Sequence, residues 1–310
     1  MSKSLWALST LVVQNATLVL LMRFSYRSGA RPYSSTLVIF FAEVLKLVAC
    51  VTKLKNDGND ARGIYRLCMK SYFEPLVVLP SILYFVQNSC QFIAARALPA
   101  VLYVVLLQLK VVTSAIFSKL ILRTQLSRVQ AFALLTLTLG AAAVQVPKTT
   151  EEQVDKMVLK GTLVMCAITS CSGLAGVILE KLFKSKDDIS EYITSSVWSR
   201  NVQLTCCSLP LVMLNIALQD WERFTTGHIF EGFDTVVLAI IIFQSLGGLL
   251  TGYVMKYASA ILKCFAGVIS MCICAIYSVS VGERELSGMF LFGIGMVSFS
   301  VFGFTYGRKK

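Results

Sequence analysis

Histidine is almost absent: His228 is the single one in 310 residues. No His, Asp or Glu constellation shares one depth in the apolar segments, so a membrane-embedded enzyme acting on a lipid or phosphate ester has no support. Charge is scarce as well, at 15% of residues against 56% hydrophobic, with a mean hydropathy of +0.71. That balance excludes an ordinary soluble domain. The scarcer sign is negative, 17 acidic residues against 29 basic, for a formal net charge of +12. Ten cysteines are present, yet nine (Cys50, Cys90, Cys166, Cys171, Cys206, Cys207, Cys264, Cys272, Cys274) lie inside apolar segments and read as small hydrophobes. Cys206-Cys207 and Cys272-x-Cys274 lack a matching second pair, so neither a metal site nor a cofactor is expected. No A-x-A-like cleavage site follows the first apolar run, Leu5 to about Met22, which predicts a retained helix and no removed signal. No attached soluble domain is expected.

What the chain does have is apolar length. Segments at roughly 5–24, 36–52, 75–95, 99–122, 129–146, 158–180, 198–218, 235–255, 260–281 and 288–306 are bounded by charge or turn residues. A bilayer core takes about 20 apolar residues per helix, and unpaired backbone groups in hydrocarbon leave only helices or closed barrels as spanning structures. Helix-length runs exclude barrel strands. The fold class predicted is an all-α membrane protein of about ten transmembrane helices. The polar stretches 53–71, 147–157, 183–196 and 219–234 read as loops.

An even number of spans puts both termini on one side. Sixteen lysines and arginines then fall on the side of the termini, nine on the other, and Lys46, Lys110, Arg200 and Lys263 inside spans. Positive charge is held on the cytoplasmic side, so both termini are predicted to be cytosolic. Basic cytoplasmic loops account for the net charge, and no nucleic-acid partner is expected. At an offset of 160, Arg96-Ala-Leu-Pro-Ala-Val-Leu-Tyr103 lies over Lys256-Tyr-Ala-Ser-Ala-Ile-Leu-Lys263, and Ala115-Ile-Phe-Ser118 over Ala275-Ile-Tyr-Ser278. Five spans per half is odd, so related halves run in opposite directions: inverted repeats over 1–150 and 151–310.

Charged groups at the middle of a span cost about 2.5–3.5 kcal/mol on insertion scales and are expected to face a partner or a cavity. Gln87, Asn88 and Gln91 form a polar stripe on the third segment. Gln108 and Lys110 interrupt the fourth about eleven residues after Pro99, the seventh opens with Trp198-Ser-Arg200-Asn201-Val-Gln203, and Lys263 begins the ninth. Glu43 is read as the sole carboxylate well inside a span, and Lys46 at i+3 neutralises it. Lys110 and Lys263 are left without a protein anion, which invites an anionic ligand, phosphate being the commonest. The glutamines and asparagines also suit interhelical hydrogen bonding, and the cluster Gly247-Gly248-Leu-Leu-Thr-Gly252 suits close helix packing or a ligand near the backbone.

With those residues in view, the stretch from Leu98 to Ser118 and Leu126-Ser-Arg-Val-Gln130 resemble the Golgi nucleotide-sugar transporters, in the branch carrying UDP-galactose, UDP-N-acetylglucosamine and CMP-sialic acid. Phe41-Ala-Glu-Val-Leu-Lys-Leu47, Gln87-Asn88, Glu180-Lys-Leu-Phe183, Arg200-Asn-Val-Gln203, Gly247-Gly-Leu-Leu-Thr251, Lys256-Tyr257 and Ile261-Leu-Lys263 match in order along nearly the whole chain. The resemblance implies a ten-helix fold of the drug/metabolite transporter type that exchanges a cytosolic nucleotide sugar for a lumenal nucleoside monophosphate, with helix bundles rocking around a central site. Carried over, Lys110 and Lys263 contact phosphate; Gln87, Asn88, Tyr103 and Asn201 help bind the nucleotide; Gly247 and Gly248 line the cavity.

One departure stands out. Animal members usually read Tyr-Gln-Val-Thr-Tyr-Gln-Leu-Lys in the fourth span, whereas here it is Tyr103-Val-Val-Leu-Leu-Gln-Leu-Lys110, with Val104, Leu106 and Leu107 in place of polar residues. The Leu-Pro-Ala and Leu-Ser-Arg elements favour a UDP-sugar exchanged for UMP, with CMP-sialic acid for CMP and export of a non-nucleotide phosphate anion as the alternatives. The partners expected are the nucleotide sugar, the nucleoside monophosphate, the lipid bilayer and a second copy of the chain in a homodimer. Localisation follows the family: a multi-pass Golgi membrane protein, with the endoplasmic reticulum as the alternative.

Overall fold

Where hydrocarbon surrounds the chain, each backbone amide must bond to the chain itself, and a helix satisfies them locally. The computed structural model describes residues 3–25, 33–98, 100–145, 156–185, 196–282 and 287–307, and among these the only regular structure is α-helix. Arg27, Arg31, Pro99, Lys148, Lys186, Arg284 and Arg308 to Lys310, used above for orientation and depth, lie outside the described residues.

The helices are α1 (Lys3–Ser25), α2 (Ser35–Asn56), α3 (Ala61–Ser71), α4 (Pro75–Ala97), α5 (Ala100–Leu107), α6 (Leu109–Ile121), α7 (Arg128–Gln145), α8 (Lys156–Lys184), α9 (Val197–Gln219), α10 (Trp221–Thr225), α11 (Thr235–Tyr257), α12 (Ala260–Ser280) and α13 (Gly288–Gly307). Over their described residues, all ten apolar segments are mainly helical. Five helices, α1, α8 from Leu159, α9, α11 and α12, are long and apolar enough to cross a membrane. Their starts carry local signals: Ser34 accepts from Leu37 N and Asp234 from Val237 N, while Ser196 and Ser199 form a reciprocal capping box on α9.

Three details differ from the sequence reading. The stretch 53–71 is not a loop, because it holds the amphipathic helix α3, with Ile64 and Leu67 buried on one side. The stretch 219–234 holds the short α10. The fourth segment is two helices: Gln108 N bonds to Val105 O and Val111 N to Gln108 O, a tightened i to i+3 turn inside an apolar run. Such 3₁₀ turns within helices often mark functional positions.

Contacts divide the chain into two compact units, Met1–Phe85 with Ile178–Ser259 and Val86–Val177 with Ala260–Lys310. They interleave along the sequence, and the three divisions fall inside α4, inside α8 and between α11 and α12. In the first unit α1 packs on α11, α2 on α9 and α11, and α3 on α9. Val38, Ala42, Val237, Ile240 and Ile241 fill one core there, and Cys50, Leu54, Ile64, Leu67 and Val202 another. In the second unit α7 packs along α13. A Cβ on Gly293 would lie 2.7 Å from Val144 N, so the close approach of these helices requires glycine. Ser300 Oγ donates to Ala133 O across the same contact at 2.5 Å.

Candidate functional site

Lys110 is the second residue of α6, directly after the Gln108 turn, and Lys263 is the fourth residue of α12. The second unit packs these two helices together, and Lys110 interacts electrostatically with both Lys263 and the Cys264 thiol. Ser114 Oγ and Cys264 Sγ lie 3.5 Å apart, tying the same turns of α6 and α12. Among the described residues neither lysine has an ion-pair partner. Two half-buried ammonium groups of like charge thus share one place in a membrane-type bundle.

Tyr103 lies seven residues before Lys110, two helical turns away, on the same face apart from the rotation added at Gln108. Its hydroxyl accepts from Gln91 Nε2 at 2.8 Å, fixing α5 to the polar stripe of α4. On that stripe the Gln87 Oε1 atom is buried with no hydrogen-bond donor, and so is the Ser89 hydroxyl without a partner; Asn88 is half-buried beside them. An unsatisfied buried carbonyl oxygen costs about 1–3 kcal/mol, so Gln87 gains from any ligand N–H placed there. Leu106 and Leu107 pack with Tyr103 against Ala94, Leu98, Met165 and Ile168. Two of the three departing positions, Leu106 and Leu107, thus belong to an apolar cluster. Gln108 itself is buried, its Nε2 directed at Met271 Sδ at 3.5 Å.

Close approach of α8 to α6 supports this arrangement. Thr113 Oγ1 donates to Thr169 O at 2.8 Å, and a Cβ on Gly173 would lie 2.6 Å from Thr113 Oγ1 and 2.8 Å from Ser114 N.

Asn201, Gly247 and Gly248 belong to the first unit. Asn201 is buried, and its Nδ2 donates to Val197 O at 2.8 Å. The two glycines make room for polar side chains: a Cβ on Gly247 would lie 2.6 Å from Gln14 Nε2, and one on Gly248 3.0 Å from Lys46 Cδ. Gln14 Nε2 donates to Phe243 O at 2.8 Å. Lys46 Nζ meets Glu43 Oε1 at 2.7 Å, as the i+3 spacing predicted, and Ser208 Oγ donates to Glu43 Oε2 at 3.0 Å.

Sequence reasoning missed two carboxylates. Glu74, at the head of α4, accepts from Arg200 Nη1 and Gln203 Nε2, each at 3.0 Å, and so neutralises a guanidinium that is 3% exposed. Glu180 lies inside α8, 2% exposed and 2.5 Å from Lys184 Nζ, so Glu43 is not the sole carboxylate buried in an apolar helix. The spacing of Glu180 and Lys184 at i, i+4 was a usable signal; the pairing of Glu74 with Arg200, 126 positions apart, had none.

A sequence profile of the nucleotide-sugar transporter family matches residues 2–306. The chain belongs to that family. A UDP-galactose/UDP-N-acetylglucosamine transporter of Caenorhabditis elegans is 31% identical over 298 residues, covering 94% of this chain and 79% of its own length. The UDP-galactose translocator of Homo sapiens is 32% identical over 311 residues, 97% of this chain and 77% of its own. For the UDP-N-acetylglucosamine transporter of Canis lupus familiaris the figures are 32% over 318 residues, 98% and 95%. Family and relatives are transporters, not enzymes. A solved crystal structure matches with a TM-score of 0.71 at 12% identity, over 99% of this chain and 98% of that one, which shows a common fold.

Proposed function

We propose that this nucleotide-sugar transporter family member exchanges a UDP-sugar, UDP-galactose or UDP-N-acetylglucosamine, for UMP across a Golgi membrane by alternating access, with both termini in the cytosol. The observation that carries the reading is the pair Lys110 and Lys263, interacting on packed helices α6 and α12 and without a carboxylate partner among the described residues. Two half-buried ammonium groups that repel one another are stabilised most by a dianionic group, and phosphate supplies the charge and the acceptor oxygens. Tyr103, fixed by Gln91, and the donor-seeking Gln87 lie on the same unit, with Asn88 beside Gln87, to receive the nucleoside. Asn201 is assigned to nucleotide binding, and Gly247 and Gly248 to the cavity lining, on the motif match alone. The names of the relatives support the UDP-sugar assignment. Ten spans in two inverted repeats, 1–150 and 151–310, is the topology that goes with this reading.

The test is exchange in proteoliposomes. Vesicles loaded with UMP are expected to accumulate radiolabelled UDP-galactose or UDP-N-acetylglucosamine, empty vesicles to accumulate little, and Lys110→Ala to abolish uptake while keeping its elution profile and helicity. Robust exchange by Lys110→Ala overturns the phosphate role, and preferential uptake of CMP-sialic acid by CMP-loaded vesicles overturns the UDP assignment.

A further inference from the structure

Helix α3 has more apolar surface than its own protein covers. Its buried side, Gly63, Ile64, Leu67 and Ser71, is spent on the first unit: Ile64 and Leu67 join Cys50 and Leu54 of α2 and Val202 of α9, with Trp198 and Cys206 packed around them. Two further rows run along the remaining surface, each with i, i+4, i+8 spacing. One is Tyr65 and Met69, continued past the helix end by Phe73 in the following turn, at 65%, 43% and 87% exposed, and joined by Tyr72 at 46%, whose hydroxyl donates to Cys206 O. The other is Arg62, Arg66 and Lys70, all exposed. An amphipathic helix normally needs one apolar side; here a second lies beside a line of cations.

The height of the helix is fixed by its neighbours. It packs on the opening turns of α9, a helix of spanning length that starts at Val197. The same end of the first unit gathers Lys53 and Lys55 from the end of α2, and Tyr253, Lys256 and Tyr257 from the end of α11. Trp198 and Tyr253 meet edge to face, and the Lys3 and Lys256 ammonium groups lie over the Tyr257 ring. Aromatic and basic residues collected at helix ends mark a membrane–water interface.

We propose that α3 is a binding surface for anionic phospholipid of the bilayer, with Tyr65, Met69 and Phe73 among the acyl chains and Arg62, Arg66 and Lys70 on the headgroup phosphates. Each basic side chain near an anionic surface favours it roughly fivefold, an effect that salt screens. On the proposed orientation α3 faces the cytosolic leaflet, where anionic lipid is concentrated. The site is separate from nucleotide transport, and its test does not depend on it.

Phe73→Trp protein in nanodiscs reads the surface directly, after subtraction of the emission of unsubstituted protein, which carries Trp6, Trp198 and Trp221. Brominated phosphatidylserine and brominated phosphatidylcholine are compared at equal mole fraction. The added tryptophan is expected to be quenched by both and about threefold or more by the anionic lipid relative to the zwitterionic one. Arg62→Gln/Arg66→Gln/Lys70→Gln in the same background is expected to remove the preference and keep the quenching. If that variant does not fold, raising salt on Phe73→Trp alone is expected to erase the preference. Equal quenching by the two lipids at low salt overturns the headgroup site, and no quenching by either places α3 in water and overturns the surface altogether.

Discussion

Replacing Lys110 by methionine is expected to make the empty protein more stable and the ligand nearly irrelevant to its stability. The ammonium group sits on the second residue of α6, half-buried, with Lys263 near it and no carboxylate partner among the described residues. A lysine at a span centre costs about 2.5–3.5 kcal/mol on insertion scales. Partial exposure brings this to roughly half, and relief of the repulsion with Lys263 returns part of the difference, so Lys110→Met should stabilise the unliganded fold by about 1–3 kcal/mol. That corresponds to a rise of roughly 2–6 °C in Tm for a chain of this size.

The effect of ligand runs the other way. At UMP one hundred times Kd, binding stabilises the original protein by about 2.7 kcal/mol. Truncating one member of a buried charge pair costs about 2–5 kcal/mol of affinity, and a hundredfold loss reduces that stabilisation to about 0.4 kcal/mol at the same concentration. Thermal unfolding of purified protein with and without UMP measures both. A variant that melts lower than its parent when empty, or that keeps the full UMP shift, refutes the assignment of Lys110 to phosphate.

Three further outcomes test the architecture. Gly173→Ala drives a Cβ to within 2.8 Å of the Ser114 backbone nitrogen, which no rotamer relieves, and is expected to destabilise by about 1–3 kcal/mol, whereas Gly267→Ala, with nothing within 4 Å, should be silent in the same melting assay. Glu74→Ala strands the buried Arg200 and is expected to cost about 3–5 kcal/mol; Asp57→Ala, which breaks an exposed pair with Lys53, should cost well under about 1 kcal/mol. Glu43→Leu alone leaves Lys46 unneutralised, so the double variant Glu43→Leu/Lys46→Met is expected to melt higher than the single one.

The all-helical, apolar character of the chain was legible because helix length and hydrophobicity are local properties, and five of the described helices are long and apolar enough to cross a membrane. Lys110 and Lys263 were legible for the same reason, as exceptions inside such runs. α3 was not, because its buried side comprises only Gly63, Ile64, Leu67 and Ser71, too few apolar positions to outweigh Arg62, Arg66 and Lys70 in a linear reading. The break at Gln108 left no mark either, since glutamine is a good helix former and the turn is a property of the packed state. Gly247 and Gly248 show the limit of reading a motif by itself. Small residues signal that something comes close, and only the fold brings Gln14 and Lys46 to that space.

The distribution of paired and unpaired cations bears on why transport would be an exchange. In the first unit Lys46 and Arg200 each meet a carboxylate, and Ser208 and Gln203 complete those clusters, so its buried charge is balanced without a ligand. In the second unit Lys110 and Lys263 have no such balance among the described residues. Any conformational step that further removes water from them is costly when they are empty and cheaper when a phosphate lies on them. A UDP-sugar and UMP both carry phosphate, so on this reading either can accompany the step and the empty carrier is held back. Phosphate then sets the coupling, and discrimination between sugars must come from elsewhere. On the same reading, Leu106 and Leu107, packed with Tyr103 on Met165 and Ile168, are the positions beside the lysine pair where an apolar surface could act on the sugar without altering the charge.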